Sequence, residues 1–437
     1  MDILLNPVVL SVLVLCVLCL FKVNVLLSML ISALLAGMAG GMDVSKAMNL
    51  LSDGFSANAT TALAYILLGT YAVAVAYTGL MDVLVKWIGT KLGGKPVVLC
   101  FILAFIACLS QNAVPIHIAF IPLLIPPLLV LFNKMRLDRR AVACALCFGL
   151  EAPYIAVPVG FGLIFQGIIA DNMTSNGMKA TISEVTSVNW ILGLAMLAGL
   201  AIAVLVTYRR KRTYEDLPVA GVDASEVEHG AGIQYRHWVT LVSLVITVAV
   251  QLWQQSLPLA ALCGLIVMFA GKAVEFKDID EQFTKGITMM GYIAFVMLIA
   301  GGYALILKET GAVTQLVEGI VPLLGENKIL TAFMITLVGL VVTMGIGTSF
   351  GTIPIVAVIY VPLCQAMGFS TAATILLISA AGALGDAGSP ASDSTLGPTS
   401  GLNADGQHSH IFDTCIPTFL HYNIPLMLAA IIGAQFL

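Results

Sequence analysis

Two carboxylates stand seven residues apart in the stretch GDAGSPASDSTLGPTSGLN, residues 385–403. Asp386 and Asp393 are accompanied by Ser389, Ser392, Ser394 and Thr395, with Pro390 and several glycines among them. On a continuous helix a spacing of seven would put both acids on nearly one face. Pro390 and the glycines predict a broken helix instead, with Asp386 at the end of the entering half and Asp393 in the unwound part or at the start of the exit half. Carboxylates, hydroxyls and freed carbonyls make an all-oxygen donor set, which suits a hard cation such as Na+. A carboxylate also binds H+, so one group can exchange the two ions.

A second constellation lies in GLEAPYIAVPVGFG, residues 149–162, with Glu151, Pro153, Pro158, Gly160 and Gly162. Two polar, Gly- or Pro-bearing tips accompany these breaks. SQNAVP, 110–115, offers Ser110, Gln111 and Asn112, with His117 just beyond. GIGTSFGTIP, 345–354, offers Thr348, Ser349 and Thr352. Ser110, Asn112 and carbonyls near Glu151 are expected to form one Na+ site. Asp386 and Asp393 are expected to anchor another. Gln111, Tyr154, Gln166 and Asn403 add amide and aromatic groups near the breaks, a mild sign of an organic solute.

The chain that must hold these groups has 437 residues, of which 59% are hydrophobic and only 10% charged. A soluble domain is nearer half apolar and a quarter charged. Apolar runs recur from end to end, so the chain reads as an all-α polytopic membrane protein. The N-terminal segment reads as a first membrane helix rather than a signal peptide, since it lacks a basic leader and a small-residue cleavage site. The net charge of −4 gives no sign of a nucleic-acid partner. Cys16–Cys19 and Cys144–Cys147 have C-x-x-C spacing, but they sit in apolar helices and read as packing residues.

Spans are expected at about 7–21, 23–42, 59–79, 138–170 (interrupted), 188–208, 237–254, 257–273, 289–308, 370–402 (interrupted) and 412–434. The stretches 96–133 and 328–367 are expected to be re-entrant hairpins, with arms of about 15 residues where a full span needs roughly 20. Residues 80–92 and 312–324 read as interfacial amphipathic helices.

The chain repeats itself. Shifted by 232 positions, Gly54, Ala62, Gly69, Tyr71, Ala72, Thr78 and Gly79 fall on identical residues, as do Leu84, Val85, Ile88, Leu92 and Gly93. The halves are expected to be 1–208 and 237–437, joined by a polar cytoplasmic linker, 209–236. Five spans per half is an odd number, so the second half is expected to be inverted. With both termini outside and the hairpins not crossing, only Lys46, Lys179, Lys308 and Lys328 of the 20 Lys and Arg face outward. That bias obeys the positive-inside rule. His408 and His410 then fall in a cytoplasmic loop and are expected to be solvated.

Inverted halves with discontinuous helices are the signature of a secondary transporter with a midplane site. The run Gly385-Asp386-Ala387-Gly388-Ser389-Pro390-Ala391-Ser392-Asp393-Ser394-Thr395 resembles the signature of NhaC-type Na+/H+ antiporters, and the overall plan resembles the ion transporter superfamily. That resemblance implies Na+ and substrate at the hairpin tips and broken helices, a homodimer, and a transport domain sliding on a scaffold. It points to Asp386, Ser389, Ser392, Asp393, Ser394 and Thr395, with Thr348 and Ser349 opposite. The interruption at 149–162 lacks the second half's S-D-S-T pattern, and relatives of this type include carriers of organic acids and amino acids. The expected function is therefore cation-coupled transport in the inner membrane, with Na+ or H+ as coupling ion and no cofactor. Exchange of Na+ for H+ and coupled movement of a small amino acid or carboxylate both fit. A channel and an intramembrane aspartyl protease are the other classes; GALGD in place of G-x-G-D speaks against the protease.

Overall fold

A computed structural model describes residues 5–21, 23–80, 83, 95–112, 121–215, 217, 234–254, 256–346, 348–390 and 392–437. The chain is all-helical, as lipid requires of a segment that must pair every backbone group internally. The helices are α1 Pro7–Leu20, α2 Val25–Ala39, α3 Val44–Asp53, α4 Ala59–Tyr77, α5 Pro96–Asn112, α6 Ile121–Met135, α7 Arg139–Ala156, α8 Phe161–Ser175 and α9 Ile182–Ile202. After the linker come α10 Tyr235–Gln254, α11 Leu257–Ala270, α12 Ile279–Glu309, α13 Ala312–Leu324, α14 Lys328–Ile346, α15 Ser349–Ala366, α16 Thr371–Ala383 and α17 Asp393–Leu402. The last, α18, runs over His410–Phe436. Short polar side chains start many of them: Asn24, Asp43, Asp138, Ser370 and Ser392 each accept a backbone N–H of the first turn.

Among the described residues, six helices are long and apolar enough to cross a membrane, or seven if the bent pair α7 and α8 is one span. Several segments read from sequence as spans are shorter; α2 has 15 residues, α11 14 and α16 13. The arms of the first expected hairpin are near the expected length, 17 residues in α5 and 15 in α6, but those of the second are longer. α14 has 19 residues and α15 18, so neither is as short as about 15, and α15 alone has the length and composition of a span. Pro354 and Pro362 sit inside α15 without breaking it. Most of the predicted interfacial helix at 80–92 lies outside the described residues; its counterpart at 312–324 is α13. α12 begins at Ile279, ten residues before the expected 289.

The 232-residue offset recurs in the helix boundaries. α2 and α11 begin at Val25 and Leu257, α5 and α14 at Pro96 and Lys328, α7 and α16 at Arg139 and Thr371, and α8 and α17 at Phe161 and Asp393. It recurs in contacts too. Tyr71 Oη bonds Ser243 Oγ at 3.0 Å, and Tyr303 Oη donates to Ser11 Oγ at 2.8 Å; both pairs are related by the same shift. α4 crosses α12 closely because small residues face each other there. A Cβ on Gly54 would lie 2.5 Å from Gly302 Cα, and one on Gly286 would lie 2.4 Å from Thr70 Cα.

One end of the bundle gathers Arg136, Arg139, Arg212, Asp405 and Asp413. Arg212 binds Asp413 at 2.7 Å, and its N–H donates to the Arg136 carbonyl. The other end gathers Lys308 on Ser175 O, Gln365 on Gly177 O and Lys328 on Gly368 O. Of the two histidines placed in a solvated loop, one is not solvated. His408 is buried with Nε2 on Thr414 Oγ1 at 2.7 Å, and burial lowers its pKa to about 4. His410 is partly buried between Thr399 Oγ1 at 2.8 Å and Pro390 O at 3.0 Å.

Candidate functional site

α16 stops at Ala383 and α17 starts at Asp393; the chain between them crosses the protein interior without a helix. Gly385 and Gly388 both take positive φ there, 87° and 85°. Asp386 hangs in this break and is 6% exposed. Its Oδ2 accepts from Tyr154 Oη at 2.8 Å and Ser349 Oγ at 2.7 Å, and its Oδ1 accepts from Ser392 Oγ. Ser349 comes from the first residue of α15, Tyr154 from α7. The start of α15 and the last turn of α7 therefore both reach one carboxylate. Such a buried anion needs this many donors: an unpaired carboxylate in an apolar medium is costly enough that it would neutralise instead.

Asp393 is the first residue of α17, half-buried, where the partial positive charge of a helix N-terminus favours an acid. Ser392 caps that helix through Ser394 N at 3.1 Å. Thr395 Oγ1 donates to Ser389 O and Ser392 O, and Ser389 Oγ donates to Met344 O at 3.3 Å. These hydroxyls hold the unwound backbone in place. Asn423 of α18 does the same from outside the motif. Its Oδ1 accepts from Gly385 N at 3.2 Å and its Nδ2 donates to Ala387 O at 2.7 Å.

The first-half break lies between α7 and α8, which meet at 47°. Gln111 Nε2 donates to Leu150 O, and Asn112 Nδ2 to Pro153 O at 3.1 Å. The end of α5 is thus seated on the last turn of α7. Glu151 is fully buried, with Cys147 Sγ 3.9 Å from its Oε2, and Tyr154 of the same helix joins this break to the other through Asp386. Gly160 holds φ +61° directly beneath the Asn112 backbone; a Cβ there would lie 2.5 Å from Asn112 O. Gly160→Ala is therefore expected to separate tip from break. We expect a destabilisation of about 1–3 kcal/mol from the backbone conformation alone, seen as a lower melting temperature in detergent, with coupled uptake falling further than the loss of folded protein.

Of the residues picked from sequence, Asp386, Ser349 and Ser392 meet directly, and Ser389, Ser394 and Thr395 line the same break. Gln111, Asn112 and Glu151 meet at the other. Ser110 and Thr352 are turned back, donating to Ala107 O at 2.7 Å and Thr348 O at 3.0 Å on their own helices. Thr348 is the residue before α15 and caps it without a side-chain bond. Asn403 stands apart: it ends α17, is exposed, and its Oδ1 accepts the His408 N–H. Helix α17 simply ends before it can turn that amide inward. His117 lies outside the described residues. C-x-x-C residues Cys144 and Cys147 are buried thiols in α7.

Sequence reasoning passed over three groups. Tyr154 was counted only as an aromatic near a break, yet it is exactly the repeat offset away from the acid it binds, 232 positions. An aromatic cluster surrounds that bond: Tyr154 lies 5.0 Å from Phe165 and 5.1 Å from Phe350, and Tyr65 lies 5.7 Å from Phe161 and 5.8 Å from Phe350. The Tyr65 hydroxyl is buried with no partner among the described residues, within electrostatic reach of Asp386 and Asp393. The third group is Asn189 with Asn423, which sit in helices that read as plain apolar spans.

A family model described as the Na+/H+ antiporter family matches residues 145–431, and a second Na+-H+ antiporter family model matches 6–92. The chain is 45% identical to an uncharacterised membrane protein of Vibrio parahaemolyticus, over 99% of this chain and 100% of that one. It is 44% identical to YuiF of Bacillus subtilis, named a putative amino acid transporter, over 98% and 99% of the two chains. Among solved structures the fold is similar to the Alcanivorax borkumensis YdaH transporter, with a TM-score of 0.63 at 15% identity over 90% of this chain and 88% of that one. It is also similar to Neisseria gonorrhoeae MtrF, described as illuminating a class of antimetabolite efflux pumps, with a TM-score of 0.60 at 14% identity, over 90% and 85%. Matched by that family model over residues 145–431, well over half of its length, the chain belongs to the Na+/H+ antiporter family.

Proposed function

We propose that this protein is a cation-coupled secondary transporter that moves Na+ or H+ through the site between its two broken helices. One observation carries the reading. Asp386 is buried among three hydroxyl donors contributed by both halves and touches no cationic side chain among the described residues. A mid-membrane carboxylate held that way is a place for an exchangeable cation, since charged groups in spans are costly and mark ion paths. Na+ and H+ compete for the same oxygens, so binding of one releases the other.

The architecture we propose is two inverted repeats of five spans, residues 1–208 and 237–437, each with a re-entrant hairpin and a broken helix, joined by a cytoplasmic linker at 209–236. The shared helix starts and paired contacts at the 232 offset support it. We place the protein in the inner membrane as a homodimer with both termini outside. The lysines gathered on the Lys308 end and the arginines on the Arg139 end support the same threading. In this reading Ser110, Asn112 and Glu151 belong to one cation site and Asp386 with Asp393 to the other.

A second version, movement of a small amino acid with the cation, is favoured by the aromatic cluster beside Asp386 and the unpartnered Tyr65 hydroxyl. The name given to the Bacillus relative points the same way. Purified protein in liposomes with a trapped pH dye separates the versions. A pH change driven by a Na+ gradient alone is the expected result for ion exchange. Uptake only when an amino acid or carboxylate pool is added is the result for solute transport. Absence of both would overturn the transport reading.

A further inference from the structure

Asn189 and Asn423 do the same job in the two halves. Asn189 Nδ2 donates to Ile155 O at 3.2 Å, and Asn423 Nδ2 donates to Ala387 O at 2.7 Å. Ile155 and Ala387 are related by the 232 offset. The asparagines are two residues further apart, and α18 explains the slip. It contains two π-helical stretches, His410–Cys415 and Phe419–Asn423, the second ending at the asparagine, where wider turns take up extra residues.

The two amides differ at their other end. Asn423 Oδ1 receives the Gly385 N–H. The position corresponding to Gly385 is Pro153, which has no N–H. Asn189 Oδ1 is buried with no partner among the described residues, and Asn189 itself is 0% exposed. Rotating the amide does not rescue it. Ile155 O only accepts, so the nitrogen must face it and the oxygen must be the free end.

Two further acceptors belong to the same turn. Among the described residues Glu151 Oε1 is buried without a partner, and so is Asn112 Oδ1, whose nitrogen is fixed on Pro153 O. All three side chains attach to residues 151–155, a single turn at the C-terminal end of α7. Glu151 and Ile155 are four apart and share a face. All the orphans are oxygens, and a helix C-terminus carries partial negative charge. At the second break, by contrast, both Asp386 oxygens and both ends of Asn423 are already paired.

We infer that Asn189 is a binding residue, and that its Oδ1, with Glu151 Oε1 and Asn112 Oδ1, takes a positively charged group, either an alkali cation or a primary ammonium. The inference rests on the transport reading for its purpose, but its test does not depend on flux. The full-length protein is purified in detergent, and its melting temperature is titrated with NaCl or methylammonium chloride against choline chloride at constant ionic strength. Wild type is expected to gain stability with one of the two probes. A response to Na+ identifies an alkali site; a response to methylammonium identifies an ammonium site. Asn189→Ala is expected to raise the half-saturating concentration of that probe by about tenfold or more, the scale of one lost contact to a charged group. Asn189→Asp keeps a free oxygen and is expected to bind at least as well as wild type, which covers the case of an alanine variant that does not fold. A wild type indifferent to both probes, an alanine variant with unchanged half-saturation, or a tenfold loss in the aspartate variant overturns the inference. Coupled flux with Asn189-independent binding sinks this inference alone; Asn189-dependent binding without any coupled flux sinks the transport reading alone.

Discussion

Asp386→Asn is expected to lower coupled transport by about a hundredfold or more while the protein remains folded. The side chain keeps its shape, and the hydroxyls of Tyr154, Ser349 and Ser392 can each rotate to donate or accept. What disappears is the charge. Hydrogen bonds to a charged group contribute about 1.5–3 kcal/mol each, and each 1.4 kcal/mol is about a factor of ten in binding. The loss of the anion also removes the group for which Na+ and H+ compete. Asp393→Asn is expected to do less, because Asp393 is half-buried at a helix start and does not sit among the three hydroxyls. The measurement is Na+-dependent proton flux, or solute uptake, in liposomes, with size-exclusion profiles to confirm folding. Wild-type coupling in a folded Asp386→Asn protein would remove Asp386 from the mechanism and with it the main support for the site.

How much of this was legible beforehand depended on the kind of signal. Length and apolarity announced helices, and Pro390 with its flanking glycines announced the broken helix between Ala383 and Asp393. Those are local properties. The 232 offset was legible too, and it already contained the pairing of Tyr154 with Asp386. It was read for topology and not for contacts, so the pairing went unnoticed. Asn189 and Asn423 could not be found by offset at all, because π turns in α18 displace the second by two positions. Asn403 was included for its type and nearness in sequence, but α17 stops before it and leaves it exposed. The arms of the second hairpin read as about 15 residues because the polar, Gly- and Pro-bearing stretch 345–354 counts as tip rather than helix. Pro354 and Pro362 instead sit within α15, packed closely by its neighbours. The buried His408 was missed for a related reason: a polar loop reads as solvated until the structure shows what it folds against.

Arg139→Ala is expected to destabilise the protein by about 3–5 kcal/mol, the usual penalty for breaking a buried ion pair from one side. Arg139 opens α7 and is 0% exposed. Its Nη1 and Nη2 each donate to one Asp405 oxygen at 2.6 Å, a two-pronged pairing that a lysine cannot reproduce. Nη1 also holds Leu402 O at 3.0 Å, Nη2 holds Asn133 Oδ1 at 2.9 Å, and the guanidinium lies 4.3 Å from the Tyr214 ring centroid. One side chain thus ties the start of the first broken helix, the end of the second, the end of α6 and the linker. These are the parts that must keep their spacing if the two breaks are to share one site. Alanine would leave Asp405 buried and charged without a counter-ion. The double variant Arg139→Met with Asp405→Leu removes both charges and is expected to recover most of the lost stability, because the pair's desolvation cost goes with it. Melting temperatures of the two single variants and the double variant, each measured in detergent, decide the matter. A double variant as unstable as Arg139→Ala would mean that the contacts to Leu402, Asn133 and Tyr214, not the ion pair, hold this end together. An Arg139→Ala protein as stable as wild type would mean that the tie between the two broken helices lies elsewhere.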